Sequence, residues 1–154
     1  IKLNDSLKFQ TAKGRTVYGG GGIVPDYFVP LDTAENSVYL NRLFTTGTIR
    51  EYALHYNETN KEKLEAKGFD SFKKSFQVTD KMLNEMVALG EKNNLKLNQK
   101  QYDHSIELMK TYVKAQIARG IWKSNGFYPI YNETNEIFLQ ALELFDEAEQ
   151  LAAK

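Results

Sequence analysis

The 154-residue chain is 42% hydrophobic and 26% charged, with 20 basic residues balanced by 20 acidic ones. That length suits one domain, or one small domain with an appendage, and it can bury a core that needs no disulfide or metal to hold it. The absence of cysteine excludes a disulfide framework, a thiolate zinc site and a cysteine nucleophile, and zero net charge supplies no field to attract nucleic acid or an anionic membrane. No apolar run approaches the roughly 18 residues that a membrane span requires, so neither nucleic-acid binding nor direct membrane insertion is expected. The chain opens on Ile1 without a methionine or a signal-peptide pattern, which reads as a cut in a longer protein.

Composition divides the chain near residue 33. The first 33 residues hold five of the ten glycines (Gly14, Gly19, Gly20, Gly21, Gly22) and two of the three prolines, Pro25 and Pro30. Helix interiors exclude both residue types. The expected fold is therefore mainly α, of the α+β type. A short β-hairpin and glycine-rich loop (1–33) precede an antiparallel helical bundle or array (34–154).

In the first part, Leu7, Phe9 and Thr11 alternate with Lys8 and Gln10, the period of a half-buried strand. Lys13-Gly14 supplies a turn and Thr16-Val17-Tyr18 a second β-prone run. Two strands alone are marginal in water, so these should belong to a larger sheet.

In the second part, Asn36 or Ser37 can cap a helix carrying Val38, Leu40, Leu43 and Phe44. Thr48 can cap the next, with Ile49, Tyr52, Ala53 and Tyr56 on one face. Asp70 can start a short piece bearing Phe72 and Phe76. Thr79 precedes a helix with Met82, Leu83, Met86, Val87 and Leu89, closing near Gly90. Asn98 with Gln101 forms a capping-box pattern ahead of one long stripe, Tyr102, Ile106, Met109, Val113, Ile117 and Ile121. After Ser124-Asn125-Gly126, Pro129 fits a first helical turn. A final helix carries Ile137, Phe138, Ala141, Leu142, Phe145 and Ala148. Aromatic and methionine residues on such stripes are expected in the core.

Candidate chemistry is sparse. Tyr56-Asn57-Glu58-Thr59-Asn60 recurs as residues 131–135, yet no longer period accompanies it, and the Asn-Glu-Thr sequon within each copy lies in helical sequence. Ser71 and Lys74 match Ser-x-x-Lys, but the companion signatures of that chemistry are missing, and an exposed lysine is too basic to activate serine near neutral pH. His55 and His104 form no metal-binding pair. Asp146, Glu147 and Glu149 read as a solvated terminal face. Gly19–Gly22 could cradle a phosphate, but Pro25 follows where a phosphate loop would start its helix, so the glycines are expected to permit unusual backbone angles and close packing. No catalytic residue, cofactor or metal is assigned to the chain.

The residues Phe9-Gln10-Thr11-Ala12-Lys13-Gly14-Arg15, then Val17 through Asp26, resemble the segment near the end of the protease core in C-terminal processing (tail-specific) serine peptidases. In that family a strand leads through a tight turn to Gly-Arg, and a glycine-rich Gly-Ile-x-Pro-Asp loop follows. Gly14, Arg15, Gly19, Gly20, Gly21, Gly22, Ile23, Pro25 and Asp26 fit in order and spacing. The turn departs from the Thr-Pro-Ser-Gly-Arg found in many members. The resemblance covers about 30 residues, and the helical part is similar to the extended C-terminal region of envelope members. It implies a serine nucleophile activated by a lysine base, both upstream of Ile1, together with an upstream substrate-binding PDZ module. It also implies a bacterial envelope or periplasmic location. The implied partners are the rest of the peptidase chain and a protein or peptide substrate, with self-association possible. Within this chain, Arg15 and Asp26 are expected to anchor the loop. The alternatives are a non-enzymatic helical interaction or oligomerisation module and, third, an anion- or nucleotide-binding protein using Gly19–Gly22.

Overall fold

The computed structural model describes residues 5–20, 22, 25, 27–30 and 33–153. Among them are two short strands and nine α-helices, so the chain is mainly α with one small antiparallel hairpin, as the glycine and proline distribution predicts. It forms two compact units, Ile1–Leu31 together with Glu136–Lys154, and Asp32–Asn135. The first boundary lies beside the compositional break. The last two helices, however, group with the N-terminal segment, because helical periodicity reveals an apolar stripe and not its partner.

In the first unit, β1 (Lys8–Gln10) pairs with β2 (Thr16–Tyr18), placing Phe9 opposite Val17. The connecting turn is closed from both sides. The Thr11 N–H donates to the Arg15 carbonyl at 2.8 Å and the Gly14 N–H to the Thr11 carbonyl at 2.9 Å. The Arg15 N–H donates to Thr11 Oγ1 at 3.1 Å. Gly14 holds φ +81°, a conformation that strains residues with a Cβ. The predicted half-buried face is not realised among the described residues: Phe9 is 57% exposed. The Tyr27 hydroxyl donates to Glu147, within the same unit. Helices α8 (Glu136–Glu143) and α9 (Phe145–Ala153) divide the predicted final helix at Leu144.

The second unit opens with α1 (Val38–Thr45), capped by Ser37, whose hydroxyl accepts the Leu40 N–H at 3.1 Å. Helix α2 (Thr48–Lys67) starts on Gly47 at φ +76°. Thr48, expected as the cap, is instead its first residue and is fully buried, with its hydroxyl 2.9 Å from that of Thr46. Helix α3 (Phe69–Ser75) follows Gly68, and α4 (Asp80–Lys92) is capped by Thr79 as predicted.

The long stripe after Asn98 is two helices, α5 (Gln99–His104) and α6 (Ile106–Trp122), parted at buried Ser105. Asn98 does cap, accepting from the Gln101 N–H at 3.1 Å. Gln101 does not complete the box. Its Oε1 accepts the Tyr39 N–H at 2.8 Å, satisfying an orphan donor in the first turn of α1. Helix α7 (Ser124–Tyr131) begins five residues before Pro129, which sits inside it. Only two residues follow that proline, so the lost N–H bond weakens the end of a helix that is already stopping. A 3-10 turn, Asn132–Thr134, closes the unit.

Helix α6 is the centre of this unit and packs on both α2 and α7. Met109, Val113 and Ile117 are fully buried along one stripe, and Ala115 and Ala118 are fully buried beside it. Gly126 permits the α7 approach, because a Cβ there would lie 2.7 Å from the Ala118 carbonyl oxygen. On the α2 side, Asn57 Nδ2 donates to the Ile117 carbonyl at 3.0 Å. Gly120 leaves room for that amide, since an added Cβ would meet it at 2.2 Å.

Two glycine-to-alanine substitutions should therefore act in opposite directions. At Gly126 overpacking costs about 1–3 kcal/mol against about 1 kcal/mol gained in helix propensity, so G126A should lower stability. At Gly90 the nearest atoms stand at an ordinary 3.5 Å, so G90A should raise it by up to about 1 kcal/mol. Urea midpoints for the two variants check this, and a rise for G126A would contradict the packing described.

Candidate functional site

The motif residues of the hairpin are positioned by backbone geometry. Gly14 and Arg15 lie in the turn. The Gly19 N–H donates to the Leu7 carbonyl at 2.8 Å, one bond beyond the strand ladder. Gly20 holds φ +96°, so this glycine is required by its backbone angle; the nearest atoms to an added Cβ belong to the tip of the exposed Leu7 side chain, which can turn aside. Gly22 and Pro25 are described, while Gly21, Ile23 and Asp26 lie outside the described residues, as does any anchoring contact of Asp26. Among the described residues, the first helix after the glycines starts at Val38, whereas a phosphate loop opens directly into one.

Ser71 and Lys74 are both exposed on α3. Lys73, between them in sequence, is half-buried and reaches Glu133 at 3.1 Å. The same turn receives Lys114, whose ammonium donates to the Lys73 carbonyl at 2.7 Å. Burial holds the Lys114 pKa below the usual lysine value, with the neighbouring Lys73 adding to the effect and Glu133 opposing it. Sequence reading missed Lys114 because nothing in its spacing separates it from the solvated lysines around it. His55 and His104 are exposed on different helices, and no cluster of metal-ligating side chains occurs among the described residues.

The pentapeptide repeat falls in unlike settings. Tyr56–Asn60 lies inside α2, whereas residues 131–135 end α7. In both copies the threonine hydroxyl donates to the tyrosine carbonyl. Asn57 is buried and bonded to α6, so its sequon is closed to a glycan in the folded chain.

A cavity of about 520 Å³ lies where α2 meets the start of α4. Its apolar part is Tyr52, Tyr56, Phe76 and Met82, and its polar part includes His55, Asn60, Gln77 and Glu85. The rings continue as a ladder: Tyr52–Tyr56 at 6.3 Å between centroids, Tyr56–Phe76 at 6.0 Å, Phe76–Phe72 at 4.4 Å and Phe72–Trp122 at 5.2 Å. The Tyr52 hydroxyl donates to Glu85 Oε2 at 3.1 Å. Burial, that hydrogen bond and the Glu85 charge push the Tyr52 pKa well above the usual tyrosine value, and burial and Glu85 raise Tyr56 as well. Both phenols are therefore neutral donors at physiological pH and poor bases. The groove offers aromatic faces, hydroxyls, a carboxylate and the Lys81 ammonium, a mixture of apolar lining and a few polar groups common to small-molecule sites.

Replacing Tyr52 with phenylalanine should lower stability at neutral pH by about 1 kcal/mol, the net worth of one such hydrogen bond. Because the folded-state pKa is raised, the Tyr52 contribution is complete below about pH 10. It is lost as pH climbs through the elevated folded value. The decline of stability above pH 10 should be shallower in Y52F, as read from urea unfolding at stepped pH. An unchanged slope would contradict the Tyr52–Glu85 arrangement.

Residues 39–123 match a family of unknown function (DUF8443). No curated protein and no solved structure matches the chain.

Proposed function

The chain belongs to this family of unknown function, and we propose that it is the C-terminal part of a C-terminal processing serine peptidase. In this reading residues 1–33 end the catalytic core. The helical region serves as a scaffold or interaction domain that restricts or presents the protein substrate. The carrying observation is the ordered set Gly14-Arg15, Gly19–Gly22, Ile23, Pro25 and Asp26 in the sequence, with Gly14-Arg15 in the turn between two paired strands.

The local geometry supports the reading in two ways. Gly14 is required by its left-handed angle directly before Arg15, and Gly20 by its own positive φ just after the second strand, so both glycines sit where the chain turns. In the cross-strand pair Phe9 is 57% exposed and Val17 37%, apolar surface that a larger sheet would cover. The serine nucleophile and lysine base would then lie upstream of Ile1, and the parent would cleave peptide bonds near protein C-termini through an acyl-enzyme, in the bacterial envelope.

A second reading, a non-enzymatic helical interaction or oligomerisation module, is favoured by one observation: the family match at 39–123 lies within the helical unit and excludes the hairpin. The two readings separate by activity. The whole gene product should hydrolyse unstructured peptides and take a serine-directed fluorophosphonate on a serine preceding Ile1, while the 154-residue chain does neither. Labelling of Ser71 or another serine within the chain, or an inert whole gene product, would overturn the peptidase reading.

A further inference from the structure

A second cavity, about 440 Å³, opens between α2 and the junction of α6 with α7. Arg50, Arg119 and Lys123 line it, with Gln116 and Ser124 as neutral polar groups and Leu54 as part of an apolar wall. No aspartate or glutamate is among its lining residues, although acidic and basic residues are equally numerous in the chain. None of the three cations makes a salt bridge among the described residues. Like charges gathered without a counter-charge repel one another, an arrangement that an anion relieves.

The groups are also held. Arg119 and Lys123 are one helical turn apart, and the Arg119 guanidinium stacks over the Phe127 ring at 5.3 Å, which limits its rotamers. Lys123 carries φ 58°, ψ −140° between the two helices, a conformation ordinarily left to glycine. A lysine kept in a strained position at a ligand-sized cavity is better explained by its charge than by its backbone.

We propose that this cavity binds a small phosphate monoester. A monoester carries about −1.5 to −2 charges near neutral pH and three acceptor oxygens. Two guanidinium forks and an ammonium match that dianion, and guanidinium geometry favours bidentate pairing with it. A single carboxylate would leave more of the positive charge unneutralised. The volume falls within the roughly 300–1,000 Å³ of small-molecule sites, leaving room beyond the phosphate for a remainder seated against Leu54. This site is independent of the peptidase reading.

The test is an amide NMR titration of the 154-residue chain with glycerol phosphate, and with acetate as the singly charged comparison. Saturable shifts at Gly120 and Ser124 are expected with glycerol phosphate and not with acetate. R50Q and K123G should each weaken binding about tenfold, the loss for one charge-assisted hydrogen bond. Glycine suits the Lys123 backbone angles, so K123G should remain folded with a midpoint at or above that of the parent chain. Absence of saturation, equal response to acetate, or undiminished affinity in both variants would overturn the proposal.

Discussion

The close burial of α6 between α2 and α7 is the constraint on which the helical unit depends. Each side of α6 is licensed by a glycine. Gly126 lets α7 reach the Ala118 carbonyl, and Gly120 leaves space for the Asn57 amide that bonds to Ile117. Hydrophobic burial supplies the driving force along Met109, Val113 and Ile117. The two glycines and the buried amide select the separation and register at which that burial occurs.

Both candidate cavities follow from this arrangement. Along α2, Tyr52, His55 and Tyr56 wall the aromatic groove toward α4, while Arg50 and Leu54 wall the basic cavity toward α6. One helix thus presents two chemically distinct surfaces, one with neutral phenols and a carboxylate, the other with uncompensated cations.

Much of the helical architecture was legible from periodicity and caps. Ser37, Thr79 and Asn98 act as the caps their positions suggest, and Leu40, Leu43, Leu83, Met86, Met109 and Ile117 are buried as their stripes predict. The breaks were not legible. Ser105 interrupts an unbroken apolar stripe, and Leu144 divides another, because continuity of a stripe does not require continuity of the backbone. Lys123 adopts an angle that no propensity rule assigns to lysine, so α7 starts five residues earlier than Pro129 suggested. Gln101 satisfies a capping-box pattern in sequence, yet it caps a different helix through a contact 62 residues away. The basic cavity escaped notice for a related reason: Arg50 lies far from Arg119 and Lys123 in the chain, and only the packing of α2 on α6 gathers them. The hairpin motif, by contrast, was visible because its glycines act locally.

The helical unit is organised by α6, and the hairpin belongs to a separate unit in which Phe9 is exposed. Native-state hydrogen exchange on the intact 154-residue chain tests this most directly. The amides of Val113, Ile117 and Ala118 should be the slowest to exchange, opening only with the whole helical unit, while those of Phe9 and Gly19 exchange far sooner in the same sample. Hairpin protection equal to that of α6, or loss of α6 protection while α2 and α7 remain closed, would contradict it.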